Sequence, residues 1–139
     1  MKSKKSNEFI FIRMMSGENI FENLNKIIAE YKLQTAILVS SVGMLENVEL
    51  GYFNGKKYEG KKFDGCYELL SLQGNLIKQE DGNVIHLHAV LGKEDTSTFG
   101  GHLLNADIKF TNEMVLLISD LKIERKLESN GLKGWTLQK

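Results

Sequence analysis

The three histidines of this chain are the side chains best suited to chemistry, and all of them lie close together in the sequence. His86 and His88 are separated by one residue, and His102 follows a pair of glycines, Gly100 and Gly101. Imidazole is a common ligand of zinc, and three imidazoles leave the fourth position of the ion open to water or substrate. The pattern predicts a divalent metal site formed by His86, His88 and His102.

The segment that carries the first two histidines predicts a β-strand. Residues 84–92 alternate and are rich in aliphatic and β-branched side chains. Side chains two residues apart on a strand share a face, so His86 and His88 project together while Leu87 points into a core. A pair of solvent-facing histidines on a wetted sheet is the alternative interpretation. The Gly100-Gly101 pair favours the metal site, because glycine lets a backbone or a ligand approach closely.

Length and composition describe one domain without a strong charge. The chain has 139 residues, enough for a core without disulfide staples, and 18 basic residues balance 18 acidic ones. A global basic field, usual in nucleic-acid binders, is therefore missing.

Cys66 is the single cysteine, and we expect it to be a small apolar side chain that fills space in the core. A single cysteine also fits a reducing compartment. No apolar run is long enough to span a bilayer, so we expect a cytosolic protein. Glycine patterns of phosphate loops and dinucleotide sites are absent.

One amphipathic helix is predicted near the amino terminus. Asn19 is placed to cap it, with Glu22 three residues later. Apolar residues recur at helical spacing from Ile20 to Tyr31 and form a stripe that can pack on a sheet. The opposite face carries Glu22, Asn23, Lys26 and Glu30 and predicts ordinary solvated surface.

The remaining chain predicts short strands separated by turns. Asn54-Gly55 gives a strong hairpin signal, and a second hairpin is expected around residues 111–113. Residues 1–7, polar and rich in lysine, predict a flexible tail before a domain of residues 8–139. The fold class is α+β, a mostly antiparallel sheet with one principal helix packed on it, in a single domain. The predicted strands are residues 9–14, 35–42, 45–53, 56–63, 67–76, 84–92, 103–110, 114–120 and 123–127.

Several motifs together resemble the PPC domain, the plants and prokaryotes conserved family. They are the Arg13 strand followed by Gly17-Glu18, then Ser40-Ser41-Val42-Gly43-Met44-Leu45, Gly65-Cys66-Tyr67-Glu68-Leu69-Leu70-Ser71-Leu72-Gln73-Gly74-Asn75, His86-Leu87-His88 and Gly100-Gly101-His102-Leu103. The resemblance implies a homotrimer of sheet-and-helix subunits. It also implies that the three histidines meet in a pocket that commonly holds a zinc-like ion.

The chain departs from plant members of this family in ways that concern DNA binding. Those relatives carry a basic residue near the position of Cys66 and a separate AT-hook with an Arg-Gly-Arg core, and this sequence has neither. Such hooks insert arginines into a narrow minor groove. The resemblance therefore gives only weak support to DNA binding, as one activity of a regulatory module. DNA binding stays an alternative, because a trimer can gather lysines from three subunits on one face.

Two classes of function follow from the sequence. The first is a small metal-binding trimeric module that binds DNA or a regulatory partner. The second is a zinc-dependent lyase, because the sheet type and the histidine spacing also look similar to acetolactate decarboxylase. That resemblance implies a keto or hydroxy acid as substrate, with Glu68 as candidate acid/base and Arg13 as candidate carboxylate clamp. A purely structural role for Glu68 and Arg13 is the alternative.

Overall fold

The architecture is a largely antiparallel sheet with a single short helix, seen in a computed structural model that describes residues 1–137. The strands are β1 (Lys2–Ser6), β2 (Phe9–Met15), β3 (Thr35–Phe53), β4 (Tyr58–Gln79), β5 (Gly82–Gly92), β6 (Thr98–Ser119), β7 (Glu124–Leu127) and β8 (Lys133–Thr136), and helix α1 spans Ile20–Glu30. Strands β1 to β6 form one sheet in the order β1-β2-β6-β3-β4-β5, and β7 and β8 form a separate hairpin. No helix within residues 1–137 is long and apolar enough to cross a membrane.

The main sheet closes on itself, because β6 has two different partners along its length. Its amino-terminal part pairs with β5, and its carboxy-terminal part pairs with β2, while β3 runs beside both parts. Strand β5 also pairs with β4. Strands β3 to β6 therefore form a curled, barrel-like unit in which β5 and β6 lie side by side.

Three strands are longer than the sequence predicted. Strands β3, β4 and β6 continue through positions where the sequence suggested a break, and residues 111–113 lie inside β6 instead of forming a hairpin turn. Irregular register marks these places, and Phe110 takes a left-handed φ of 63° beside one of them. A bulge bends a strand without ending it, so local turn signals here produce curvature and not a chain reversal.

The amino terminus is ordered structure, which corrects the prediction of a flexible tail in residues 1–7. Strand β1 pairs with β2 over its whole length, with Lys2 opposite Arg13 and Ser6 opposite Phe9. This pairing covers the backbone N–H and C=O groups along the outer side of β2. The composition of the tail gave no sign of it, because exposed lysines are also what a sheet edge carries.

Helix α1 begins at the residue that the sequence predicted. The Asn19 side-chain oxygen accepts hydrogen bonds from the backbone N–H groups of Phe21 and Glu22. Its apolar residues join one buried cluster with residues of the sheet. Asn23 corrects the predicted solvated face, since it is buried and its amide donates to Glu18.

Candidate metal centre

The histidines meet because of strand register. His88 on β5 lies directly opposite His102 on β6, and His86 precedes His88 by two residues on the same face. One ligand atom from each of the three rings lies within 4.8 Å of the other two. The structure thus confirms the convergence predicted for His86, His88 and His102.

Two glycines bring the strands of this region close together. A Cβ atom added to Gly100 would lie 2.4 Å from the carbonyl oxygen of Ala89, the residue after His88. A Cβ atom added to Gly74 would lie 1.9 Å from the carbonyl oxygen of His86, and Gly74 has a φ of 155° that favours glycine. Gly100 was expected to allow a close approach of backbone or ligand, and at both glycines it is neighbouring backbone that approaches.

The spacing of the imidazoles suits a shared divalent ion. The Nε2 atoms of His86 and His88 are 3.2 Å apart, and the centroids of the three rings are separated by 5.0 to 5.3 Å. Two nitrogen ligands about 2.1 Å from one tetrahedral ion are roughly 3.4 Å apart. The residues present therefore fit a zinc-like ion, with three imidazole nitrogens as donors.

Burial keeps two of the rings uncharged. Burial, reinforced by repulsion from the protonated forms of His86 and His88 and from Arg125, lowers the pKa of His102 to about 4. The pKa of His86 is also lowered, first by burial and then by the charges of Arg125 and His88. A metal binds the neutral imidazole, so near neutral pH protons compete little for these nitrogens.

Two neighbours of the histidines were missed by the sequence analysis. The Tyr58 ring packs against His102 with centroids 4.4 Å apart, and an Arg125 Nη2 lies 3.1 Å from the Nδ1 of His86. Tyr58 begins β4 directly after the Asn54-Gly55 turn, so the predicted hairpin was a signal that could have located it. Arg125 comes from the separate β7–β8 hairpin, and no sequence motif connects it with the histidines.

A cavity of about 410 Å³ opens beside the cluster. Its lining comes from the β3–β4 turn, from β5 and β6, and from the β7–β8 hairpin. The lining residues are Phe53, Lys56, Lys57, Tyr58, Val84, Ile85, His86, His102, Arg125, Gly131, Leu132 and Lys133. Four of these are lysine or arginine, and no acidic residue among residues 1–137 lines the cavity.

The other candidate residues lie elsewhere in the subunit. Arg13 is exposed on β2 and lines a different cleft with Lys2, Lys4 and Glu113. Glu68 is exposed on β4 opposite Gly92, which is four residues beyond His88 or roughly 13 Å along the strand. Neither lines the histidine cavity, so the structure does not bring them to the proposed metal site.

Fold and histidine cluster together define a class of small antiparallel domains with a three-imidazole centre. Residues 1–120 match the Plants and Prokaryotes Conserved (PCC) domain, which confirms the resemblance drawn from the motifs. The chain belongs to this family. The β7–β8 hairpin, and with it Arg125, lies beyond the matched residues.

Solved structures support the same fold. A plant- and prokaryote-conserved (PPC) protein from Pyrococcus horikoshii is 29% identical with a TM-score of 0.84, over 99% of this chain and 95% of that one. A "putative dna binding protein" from Bacteroides thetaiotaomicron is 26% identical with a TM-score of 0.89, over 97% and 96%. A metal-containing protein from Archaeoglobus fulgidus is 26% identical with a TM-score of 0.83, over 98% and 96%.

One curated relative is a much larger protein. Over 124 residues the chain is 26% identical to the bifunctional protein GlmU of Synechococcus sp. (strain JA-3-3Ab). The match covers 89% of this chain and 19% of that protein. The chain therefore spans about a fifth of this relative's length.

Proposed function

We propose that this protein is a metal-binding module that holds one divalent ion, zinc first among them, through His86, His88 and His102. The observation that carries the proposal is the placement of three imidazole nitrogens within 4.8 Å of one another. The relative from Archaeoglobus fulgidus, described as metal-containing, supports it. When bound there, zinc would supply a Lewis acid with one coordination position open.

The chemistry of the donors agrees with this function. Burial disfavours the charged forms of His86 and His102, so both offer lone pairs near neutral pH. The Nδ1 atom of His102 is buried and has no hydrogen-bond partner among residues 1–137. A buried nitrogen of this kind costs free energy unless something satisfies the ring. A metal-binding role explains why this ring and those of His86 and His88 share one place.

The direct test is the metal content of protein purified without an affinity tag. We expect about one divalent ion per chain, as for a single three-ligand site. His88→Ala removes an exposed ligand and should lower metal affinity by more than about 100-fold, because even outer-shell changes cost 10- to 100-fold. Gln73→Ala, an exposed change directly opposite His88, is the matched control and should keep the metal.

Two results would count against this function. Wild-type protein without bound metal, after exposure to zinc at micromolar concentration, would contradict it. Equal metal content in the His88→Ala and Gln73→Ala variants would do the same. Circular dichroism of all three proteins should be superimposable, since neither changed side chain is buried.

A catalytic use of the same ion is the second candidate. The observation in its favour is the cavity of about 410 Å³ beside the histidines, which has room for a small ligand near an open coordination position. A zinc lyase or decarboxylase acting on a small keto or hydroxy acid would use this arrangement. Turnover of such acids by the zinc-loaded protein, lost in His88→Ala, is the expected result. Inertness across the panel would leave a binding module.

DNA binding is the regulatory activity suggested by the description of the relative from Bacteroides thetaiotaomicron. In this chain the exposed cations that could serve it lie on the β3–β4 arm, at Lys56, Lys57, Lys61 and Lys62. Phosphate contacts make such binding strongly salt-dependent. We expect weak binding to random duplex DNA at low salt that disappears at physiological salt. No binding at any salt would remove this activity.

Self-association, with a trimer as the expected state, belongs to the proposal. Phe9, Leu117 and Ile37 form one row across β2, β6 and β3, and each is more than a third exposed. Phe11, on the same face of β2, is 52% exposed. Contiguous exposed apolar surface of this kind usually marks an interface. A second and a third copy of the chain would cover it.

The oligomeric state can be measured by sedimentation equilibrium. We expect a mass of three chains for the wild-type protein and a shift towards the monomer for Phe11→Glu. Tyr52→Glu is the control, because Tyr52 is even more exposed but lies at the far end of β3. A wild-type monomer, or dissociation by both changes alike, would refute the assignment of this face.

A cytosolic, reducing location also remains a proposal. Cys66 is the only cysteine in the sequence, and its thiol is exposed, which corrects the expectation of a buried filler. An exposed free thiol is best preserved where glutathione keeps thiols reduced. Cell fractionation with an antibody against the protein should recover it with soluble cytosolic markers, and recovery elsewhere would overturn the assignment.

A further inference from the structure

We propose that the histidine cavity binds a small oxyanion, a carboxylate or a phosphate, and that Arg125 captures it after leaving His86 when the metal site is filled. The inference rests on the proposed metal function and names the class of ligand for the same site. It also replaces Arg13 with Arg125 as the residue that recognises the anion. Binding of metal and binding of anion are coupled through this one side chain.

The charge of the cavity selects an anion. Arg125, Lys56, Lys57 and Lys133 line it, and within the described part of the chain, residues 1–137, no lining residue is acidic. The chain as a whole has a net charge of zero, so this concentration of cations is local. A cavity lined by one sign of charge raises the local concentration of the opposite ion.

Hydrogen-bond accounting defines the state of His86 in the absence of metal. A guanidinium group only donates, so the Nδ1 of His86, 3.1 Å from Arg125, accepts that hydrogen bond. The proton of the neutral ring then sits on Nε2, which donates to the Nε2 of His88 at 3.2 Å. Arg125, His86 and His88 form a directed chain of hydrogen bonds.

Counting donors and acceptors in the same way shows that the hydrogen bonds between Arg125, His86 and His88 cannot coexist with a metal ion bound to His86 Nε2. Once Nε2 is a ligand, the neutral ring carries its proton on Nδ1, as metal-bound histidines usually do. That N–H would face a guanidinium N–H, two donors without an acceptor. Arg125 must therefore withdraw its Nη2 from His86, and its buried Nε has no hydrogen-bond partner within residues 1–137.

Because the described residues place no carboxylate in the cavity lining, a displaced guanidinium there needs an anionic partner from solution. The planar fork of arginine matches carboxylate and phosphate oxygens in pairs of hydrogen bonds. An oxyanion in the cavity would satisfy Arg125 and compensate the charge of the three-histidine site together with its ion. Such an anion should therefore tighten metal binding, and metal should tighten anion binding by the same factor.

The experiment measures Co²⁺ affinity by its d–d absorbance, with and without acetate or inorganic phosphate. We compare the wild-type protein with Arg125→Gln and with Lys126→Gln. Lys126→Gln is the matched control, because it removes the same charge from the same strand. The Lys126 side chain pairs with Glu124 and does not line the histidine cavity. Any complex of the anion with free Co²⁺ is common to all three proteins and cancels in the comparison.

We expect an oxyanion to tighten Co²⁺ binding roughly tenfold in the wild-type protein and in Lys126→Gln, a typical effect of one charge-assisted hydrogen bond. In Arg125→Gln the anion should change Co²⁺ affinity less than about twofold. Without anion, Arg125→Gln should bind Co²⁺ at least as tightly as the wild type, since His86 no longer has to release Arg125. The anion that produces the tightening identifies the ligand as a carboxylate or a phosphate.

The failures are distinguishable. If no variant binds Co²⁺, the proposed metal function falls and this inference falls with it. If all bind Co²⁺ but the anion acts equally on Arg125→Gln and the wild type, or on neither, only the role of Arg125 and the anion site is overturned. Thermal unfolding of the three proteins guards against a variant that fails to fold, and Arg125→Lys is the substitute if Arg125→Gln does.

Discussion

Two regions of the molecule line the histidine cavity, the paired strands β5 and β6 and the separate β7–β8 hairpin. They position their residues by different means. His88 and His102 are opposite each other because backbone hydrogen bonds fix the register of two long neighbouring strands. Arg125 arrives on a four-residue strand that pairs with β8 in a separate two-stranded sheet and meets His86 through a side-chain contact. One arrangement is held by the sheet, and the other by side-chain contacts, among them the hydrogen bond between Arg125 and His86.

This difference teaches where the site is rigid and where it can respond. Long paired strands hold side chains with little freedom, which suits ligands that must keep a fixed geometry around an ion. A short hairpin with few backbone bonds to the sheet opens at a smaller free-energy cost. We therefore assign fixed ligation to the histidines and an exchangeable contact to Arg125.

The largest effect is expected from breaking the contact between β5 and β6. Gly100→Ala puts a methyl group where the Ala89 carbonyl lies 2.4 Å away, and should lower the free energy of unfolding by roughly 2–3 kcal/mol and weaken metal binding. Gly101→Ala is the adjacent control, since the atom nearest to its added Cβ, the Gly51 carbonyl oxygen, would be 3.4 Å away. This variant should change the free energy of unfolding by less than about 0.5 kcal/mol. Urea unfolding measures both, and equal values for the two variants would contradict this account.

A smaller effect is expected from the aromatic ring that packs against His102. Tyr58→Ala removes this support and should weaken zinc affinity about tenfold, the lower end of changes seen for second-shell groups. Tyr52→Ala serves as its control, because Tyr52 is 78% exposed on the neighbouring strand. Competition with a zinc chelator gives the affinities. A Tyr58→Ala protein that binds zinc like Tyr52→Ala would show that register alone orients the ring.

The smallest effect concerns acid. The pKa of His102 lies near 4 in the folded protein and near 6.5 in the unfolded chain, so the unfolded chain takes up the proton first. The metal-free protein should lose stability as pH falls from 6.5 towards 4, by about 1 kcal/mol after allowance for the partial exposure of the ring. His102→Gln should lack this component. Urea unfolding at pH 7 and pH 5 measures it, and identical losses in both proteins would refute it.

The sequence predicted the features that depend on local pattern. Asn19 as helix cap, the alternation around His88 and the close approach at Gly100 all follow from neighbouring residues, and the structure confirms them. The predicted turn at residues 111–113 was wrong, because register with β2 and β3 carries β6 through a bulge that looks like a turn locally. The burial of Asn23 depends on Glu18, a contact outside the helix pattern.

The candidate site shows the same difference between features set by local sequence pattern and features set by tertiary contacts. His86, His88 and His102 could be grouped from spacing because two share a strand face and the third follows the glycines that admit a close strand. Arg125 could not, because its approach depends on how a separate hairpin packs, with Gly131 of its turn lining the same cavity as Phe53. Spacing in the sequence does not encode such a tertiary contact.

The most direct measurement of the central claim is X-ray absorption at the zinc edge of the loaded protein. Three imidazoles around one ion predict three nitrogen ligands at about 2.0–2.1 Å with the multiple-scattering pattern of histidine rings. Their number should fall to two in the His102→Gln variant. A spectrum that shows a sulfur ligand, or fewer than three imidazoles in the wild-type protein, would contradict a centre built from His86, His88 and His102.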